Sequence, residues 1–317
     1  MDDKAKLKTL NYFFKVHGIS IETCHEPQEK CKRKAIRAHS IPSSTVLRYL
    51  ARDGHVVMLK MNLKFPPPAE ILFKLVGINK ATTFTGLCSY HDNAIFRPID
   101  DSLPNTGDPE HLFLLAYRAV LREYHVVLQN AIRFQATYNK RVEIGLSPGD
   151  MPCNFGIFAT SNLINAFECY EYKRQYDYAY LQQRWHALNH ELLVLRNQSP
   201  SIAVSSMFSL DDVAAPETPR VALSVFPIND AVVAVFSSTQ SDKPFVKSYL
   251  SRILAAEPYY QKYLLSKLIL QSCENFVFAP DYFNAIPQAK KDAIGQFFTN
   301  TALINAEDYE DERLFLF

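Results

Sequence analysis

The chain has 317 residues, 48% hydrophobic and 21% charged, with a formal net charge of +1. That balance excludes a disordered chain, a collagen-like fibre and a coiled coil. The longest apolar runs, such as 231–236, fall far short of the ~18 residues that cross a membrane. The opening Met1-Asp2-Asp3-Lys4 has no apolar stretch behind it, so the expectation is a cytoplasmic protein with no membrane partner.

In chain order, residues 7–16 (LKTLNYFFKV) have helical spacing and stop at Gly18. A polar loop follows at 24–31. Residues 35–41 read as extended, Pro42-Ser43-Ser44 as a helix start, and 55–61 (HVVMLKM) as a strand. Pro66-Pro67-Pro68 breaks the chain, and 69–76 reads as a strand or short helix. A helix is predicted to start near Cys88–Asn93. The stretch 103–108 (LPNTGD) is the best boundary, separating a domain at 1–103 from one at 109–317. Beyond it the pattern predicts long helices over 109–140 and 162–197. Strands are predicted at 202–207, 221–226 and 231–237, with a hairpin turn at 227–230. Helices at 245–256, 259–274 and 289–300 follow. The expected fold class is α+β. A zinc-stapled N-terminal domain precedes a larger, mainly helical domain with a small antiparallel sheet.

Charge is uneven. Residues 1–100 hold 16 Lys/Arg and 9 Asp/Glu, a net of +7; the other 217 hold 18 and 24, a net of −6. Lys32, Arg33, Lys34 and Arg37 concentrate the basic character. They are the candidate contacts to nucleic-acid phosphates. The C-terminus is acidic at 307–312 and ends in Leu314-Phe315-Leu316-Phe317. It could mask the basic half, dock on a partner, or pack on the chain itself.

Six cysteines in an expected cytosolic chain argue against a disulfide framework. Cys24 and Cys31 form a C-x6-C pair, and Cys88 and His91 a C-x2-H pair. Two such half-sites supply four sulfur and nitrogen donors, the set that tetrahedral Zn²⁺ prefers. Cys153, Cys169 and Cys273 lack partner spacing and read as structural thiols.

Between the half-sites lies Ala38-His39-Ser40-Ile41-Pro42. With its flanking pairs, this segment resembles the HNH, or ββα-metal finger, nuclease family. Such proteins set a zinc half-site before a His-aliphatic-Pro strand and a second half-site before a helix. The resemblance covers residues 20–100 and implies a metal-dependent endonuclease that hydrolyses phosphodiester bonds, with a role in restriction or anti-phage defence. It implies that His39 is the general base and that Asp92, with Asn93 behind it, holds a catalytic Mg²⁺ or Mn²⁺. Zinc would be structural. The partner would be nucleic acid, DNA ahead of RNA, with a regulatory protein as a second partner. The competing expectation is a zinc-stapled module that binds nucleic acid or protein without cleaving it.

The second half carries no Gly-rich phosphate loop and no HExxH. His186 and His190 stand four apart in the predicted 162–197 helix, where they would share one face beside Glu191. The tyrosines from Tyr170 to Tyr180 alternate with Lys and Arg, which suits either base stacking or packing.

Overall fold

The computed structural model describes residue 12 and residues 21–62, 70–211, 213–303 and 309–317. The predicted 7–16 helix, Tyr12 apart, and the Pro66-Pro67-Pro68 break lie outside these residues. The chain mixes helix with antiparallel sheet, as an α+β fold requires. It forms two compact units, each built from three separated segments. Unit 1 takes residues up to 38, then 84–93 and 120–183. Unit 2 takes 39–83, 94–119 and 184–317. The 103–108 turn joins two helices, α1 (Ser89–Asp101) and α2 (Pro109–Glu143).

Unit 1 holds the cysteine-bearing turns, residues 120–143 of α2, and α3 (Asn154–Leu181). The two helical segments meet through aromatic contacts. Phe134 lies edge-on to Phe158 at 4.7 Å, and the rings of Tyr124 and Tyr170 lie 5.9 Å apart. Cys153, expected to be a buried thiol, caps α3 instead, its sulfur accepting from the Gly156 N–H at 3.4 Å. Tyr172 and Tyr176 are buried, so these two pack rather than stack on bases.

Unit 2 is organised by a seven-stranded antiparallel sheet. The strands are β2 (His55–Asn62), β3 (Glu70–Gly77), β5 (Leu188–Arg196), β6 (Ile202–Ser209), β7 (Arg220–Ile228), β8 (Ala231–Thr239) and β9 (Phe276–Phe278). Their order is β3-β2-β9-β6-β7-β8-β5. Two-residue strands β1 (Ala38–His39) and β4 (Thr83–Phe84) pair separately. The β7–β8 hairpin turns at Asn229, whose φ of 52° is one that Asn tolerates well. One face of the large sheet packs on α4 (Lys243–Leu254), α5 (Pro258–Ser272) and α7 (Gln288–Phe298). Val204, Leu223 and Phe236 meet Leu250, Leu265 and Phe297 there. Between α5 and α7 lie β9 and the short α6 (Pro280–Ala285). None of the described helices is long and apolar enough to cross a membrane.

One expectation fails clearly. The predicted 162–197 helix ends at Leu181, and 188–196 forms β5. Leu193 and Leu195 alternate inward with exposed Leu192 and Val194. A nine-residue ladder to β8 overrides the helical preference of Leu and Glu. His186 and His190 therefore share no helical face. His190 Nδ1 lies 2.8 Å from Ser237 Oγ, across the ladder.

The described part of the C-terminus, residues 309–317, packs on the chain itself. Leu314 and Leu316 are fully buried in the unit 2 core. The Leu316 N–H donates to Ser266 Oγ at 2.9 Å, and the Asp311 N–H to the Tyr263 hydroxyl at 3.0 Å. Leu316→Ala is therefore expected to cost about 2–5 kcal/mol, read as a lower urea midpoint with an unchanged slope.

Candidate metal centre

The four residues read as zinc ligands from their spacing converge in unit 1. Cys24 Sγ, Cys31 Sγ, Cys88 Sγ and one ring nitrogen of His91 all lie within 4.8 Å of one another. The sulfurs of Cys31 and Cys88 are 3.9 Å apart. His91 Nδ1 is 3.5 Å from Cys24 Sγ and 3.4 Å from Cys88 Sγ. Zn–S bonds of ~2.3 Å and Zn–N bonds of ~2.0 Å at tetrahedral angles imply S···S of about 3.8 Å and S···N of about 3.5 Å. These three separations match, so this Cys₃His set could hold a metal such as zinc. All three cysteines are free thiols.

Local structure explains how so wide a pair closes. Thr23 bridges Lys34, and the Ala35 N–H donates to the Glu22 carbonyl at 2.8 Å, so the chain doubles back around the loop. Inside it, the buried Glu26 carboxylate accepts from the N–H groups of Gln28 (2.7 Å), Lys30 (2.6 Å) and Cys31 (3.1 Å). Glu29 takes a left-handed φ of 58° and completes the turn. These bonds gather the six intervening residues and deliver Cys31 to the centre. Sequence reasoning missed Glu26; an acid two residues after the first cysteine, inside an unusually long loop, was the available signal.

The second half-site rests on a helix start. The Ile36 N–H donates to the Leu87 carbonyl at 2.7 Å, and the His25 N–H to that of Gly86 at 2.8 Å. A Cβ on Gly86 would sit 2.4 Å from the Phe84 ring, so only glycine fits without displacing it. The Cys88 N–H points at Cys24 Sγ at 3.2 Å. The Cys88 carbonyl accepts from Asp92, opening α1, and puts His91 on the cysteine's side one turn later.

Electrostatics separates the thiols. Burial pushes Cys24 up to about 12. Burial opposes ionisation of Cys88 too, but the N–H groups of His91 and Tyr90 and the thiols of Cys24 and Cys31 outweigh it and lower its pKa.

Next to the centre, unit 1 buries further polar groups. His25 meets Tyr124 edge-on at 5.0 Å, and its ring lies 6.2 Å from that of His125. His125 Nε2 is 3.2 Å from Thr85 Oγ1. Lys173 and Asp177 form a buried ion pair at 2.6 Å. Burial lowers His125 to about 4, helped by Arg122 and Arg133, so it is neutral at pH 7.

The other predicted site residues are placed as follows. Lys32, Arg33 and Lys34 are exposed just after the Cys24–Cys31 loop, the knuckle of the site, and Arg37 is exposed immediately before β1. Lys34 pairs with Glu22 at 2.7 Å. The Arg33 guanidinium lies 5.4 Å from the ring centre of Tyr90, which is 62% exposed. His39 belongs to unit 2, whereas Asp92 and Asn93 belong to unit 1. His39 Nε2 lies 2.8 Å from the Ile78 carbonyl, so that nitrogen carries the proton and donates. Neighbouring Ser40 is bound to the same turn through the Thr82 carbonyl at 2.9 Å, and Asn275 donates to its hydroxyl at 2.8 Å. Among the described residues, neither His39 nor Asp92 joins a cluster of three or more metal-binding side chains. Asp100 is held by both terminal nitrogens of the buried Arg118, each at 2.7 Å.

Glu26→Ala leaves three N–H groups without their acceptor. It is expected to weaken metal retention about 10–100-fold, as losing a ligand-orienting partner does, measured by competition with a chromogenic chelator. A neutral buried His125 gives a second expectation. The unfolded chain takes up a proton near pH 6.5 that the folded chain refuses until about pH 4. Stability from this group is therefore complete above pH 6.5 and lost as pH falls toward 4. His125→Gln should flatten the stability–pH slope in that window by about 1.4 kcal/mol per pH unit, measured by urea titration at several pH values.

No protein-family model, curated protein or solved structure matches the chain, so the reading of this centre rests on its own geometry.

Proposed function

We propose that this chain is a zinc-stapled protein that binds nucleic acid through the basic rim of its knuckle. The observation that carries the reading is the Cys₃His donor set at tetrahedral spacing. Soft thiolates with one imidazole select zinc over magnesium or calcium. Four protein donors fill the coordination shell, which suits a structural ion rather than a catalytic one. Four exposed basic residues lie on or directly after the loop that bears Cys31. Fixing that loop fixes their spacing, which suits a phosphate backbone.

The second reading is the HNH-like endonuclease, with His39 as general base and Mg²⁺ or Mn²⁺ held by Asp92 and Asn93. One observation favours it. The bond from His39 Nε2 to the Ile78 carbonyl leaves Nδ1 as the basic nitrogen of an oriented ring. His39→Ala separates the readings: it abolishes Mg²⁺-dependent plasmid nicking if the chain is a nuclease, and leaves binding intact in either case.

Two measurements test the binding reading. Elemental analysis of protein purified without chelator is expected to give one zinc per chain, and its removal to melt unit 1. The triple variant Lys32→Ala, Arg33→Ala, Arg37→Ala is expected to flatten the log-affinity against log-salt line for duplex DNA by about 2–3 units. An unchanged slope removes these residues from the interface.

A further inference from the structure

A single exposed tyrosine needs no explanation. Tyr90, in the first turn of α1, is 62% exposed and has surroundings that do. Its ring meets the His91 ring at 5.1 Å and 76°, and the Arg33 guanidinium lies 5.4 Å from its centre. His91 is one of the four converging donors, and Arg33 stands two residues after Cys31. Both supports are therefore tied to the metal-site turns, so the ring is held in place while most of the residue stays open to water. The 32–37 segment runs beside the same turn, because the Ile36 N–H donates to the Leu87 carbonyl at 2.7 Å. The acids of the knuckle are engaged: Glu22 by Lys34, Glu26 by its three N–H donors, and Glu29 by the Tyr170 hydroxyl at 3.0 Å. Lys32, Arg33 and Arg37 form no ion pair among the described residues. Residues 89–93, in contrast, carry Asp92 and no Lys or Arg. Exposed cations thus line one segment, and an exposed aromatic ring stands on the other.

We infer that this rim takes single-stranded nucleic acid, with an unpaired base stacked on Tyr90 and the flanking phosphates held by Lys32, Arg33 and Arg37. The inference rests on the nucleic-acid reading above and specifies its substrate. The ring decides between strand and duplex. Inside a duplex both faces of every base are covered by neighbouring pairs, so only an unpaired base offers a face to an aromatic side chain. The cations alone would serve a duplex equally well, and would leave Tyr90 without a role. The turn that bears Tyr90 also lacks the cations with which a groove-binding helix grips the backbone. Arg33 joins the two functions, since one guanidinium lies against the ring and faces the strand that the ring binds. Stacking on one ring tolerates every base, so the expected binding is strand-selective and not sequence-selective.

The test is fluorescence anisotropy with the full, zinc-loaded chain and three labelled probes of about 12 nucleotides, within single-strand site sizes. They are an oligothymidylate, an oligouridylate and the thymidylate paired with its DNA complement; the first two separate a DNA source of the strand from an RNA source. The wild type is expected to bind a single strand more tightly than the duplex. Tyr90→Leu, which keeps an apolar side chain and removes the ring, is expected to weaken single-strand binding about 5–150-fold, the worth of one stacked base. Duplex binding should not change. Tyr90→Phe should bind as the wild type does. Tyr90 is exposed, so zinc content and far-UV circular dichroism of both variants should match the wild type. Duplex binding as tight as single-strand binding overturns the proposal, as does a Tyr90→Leu variant with undiminished single-strand affinity. In either case a salt slope that still flattens in the Lys32/Arg33/Arg37 triple variant leaves the wider nucleic-acid reading standing. Absence of binding to all three probes at about 100 μM, the weak end of non-specific affinity, overturns both.

Discussion

Four donor atoms within 4.8 Å join two turns that the chain separates by 57 residues, counted from Cys31 to Cys88. Those donors are awkward companions without an ion. Cys24 is buried and holds its proton, while Cys88 is drawn toward the thiolate. A divalent cation would resolve that conflict by replacing the protons, which would couple its binding to folding and to pH. The Glu26 turn, the strand-like return to Lys34 and the first turn of α1 all follow from bringing these atoms together.

The same unit tolerates polar groups in its interior. The Lys173–Asp177 pair sits four residues apart on α3, so one helical turn supplies both charges in register. A buried pair gains little over an apolar replacement, but losing one partner leaves an uncompensated charge. Tyr124, Thr85 and the neutral His25 and His125 lie in the same interior. Packing here is fixed by direction as well as by volume, which suits a unit that brings four donor atoms within 4.8 Å of one another.

Legibility followed the range of the interactions. The four converging residues, Cys24, Cys31, Cys88 and His91, were readable because the donor chemistry restricts residue type and both pairs are local. Strand β2 and the β7–β8 hairpin were readable from β-branched runs and turn residues. Strand β5 was not: LNHELLVLR suits a helix by propensity, and only its ladder to β8 makes it a strand. The pairing of β2 with β9 was equally hidden, because nothing local marks two strands more than two hundred residues apart as neighbours. Ser40 and Asn275 belong with these. Nothing in the sequence pairs them, yet together they bind the segment after His39 to the middle of β6 through the Ser205 carbonyl.

Strand β9 has only three residues, yet it lies between β2 and β6 and is hydrogen-bonded to both. Until residues 276–278 exist and settle, the β2–β3 hairpin and the β6-β7-β8-β5 meander are two sheets, each with a bare edge. Joining them closes a loop through most of the chain, the kind of contact whose entropy cost slows folding. During synthesis the meander can zip as its hairpins emerge, while the earlier hairpin waits with an open backbone edge. That interval is when the protein is most exposed to pairing with the wrong strand.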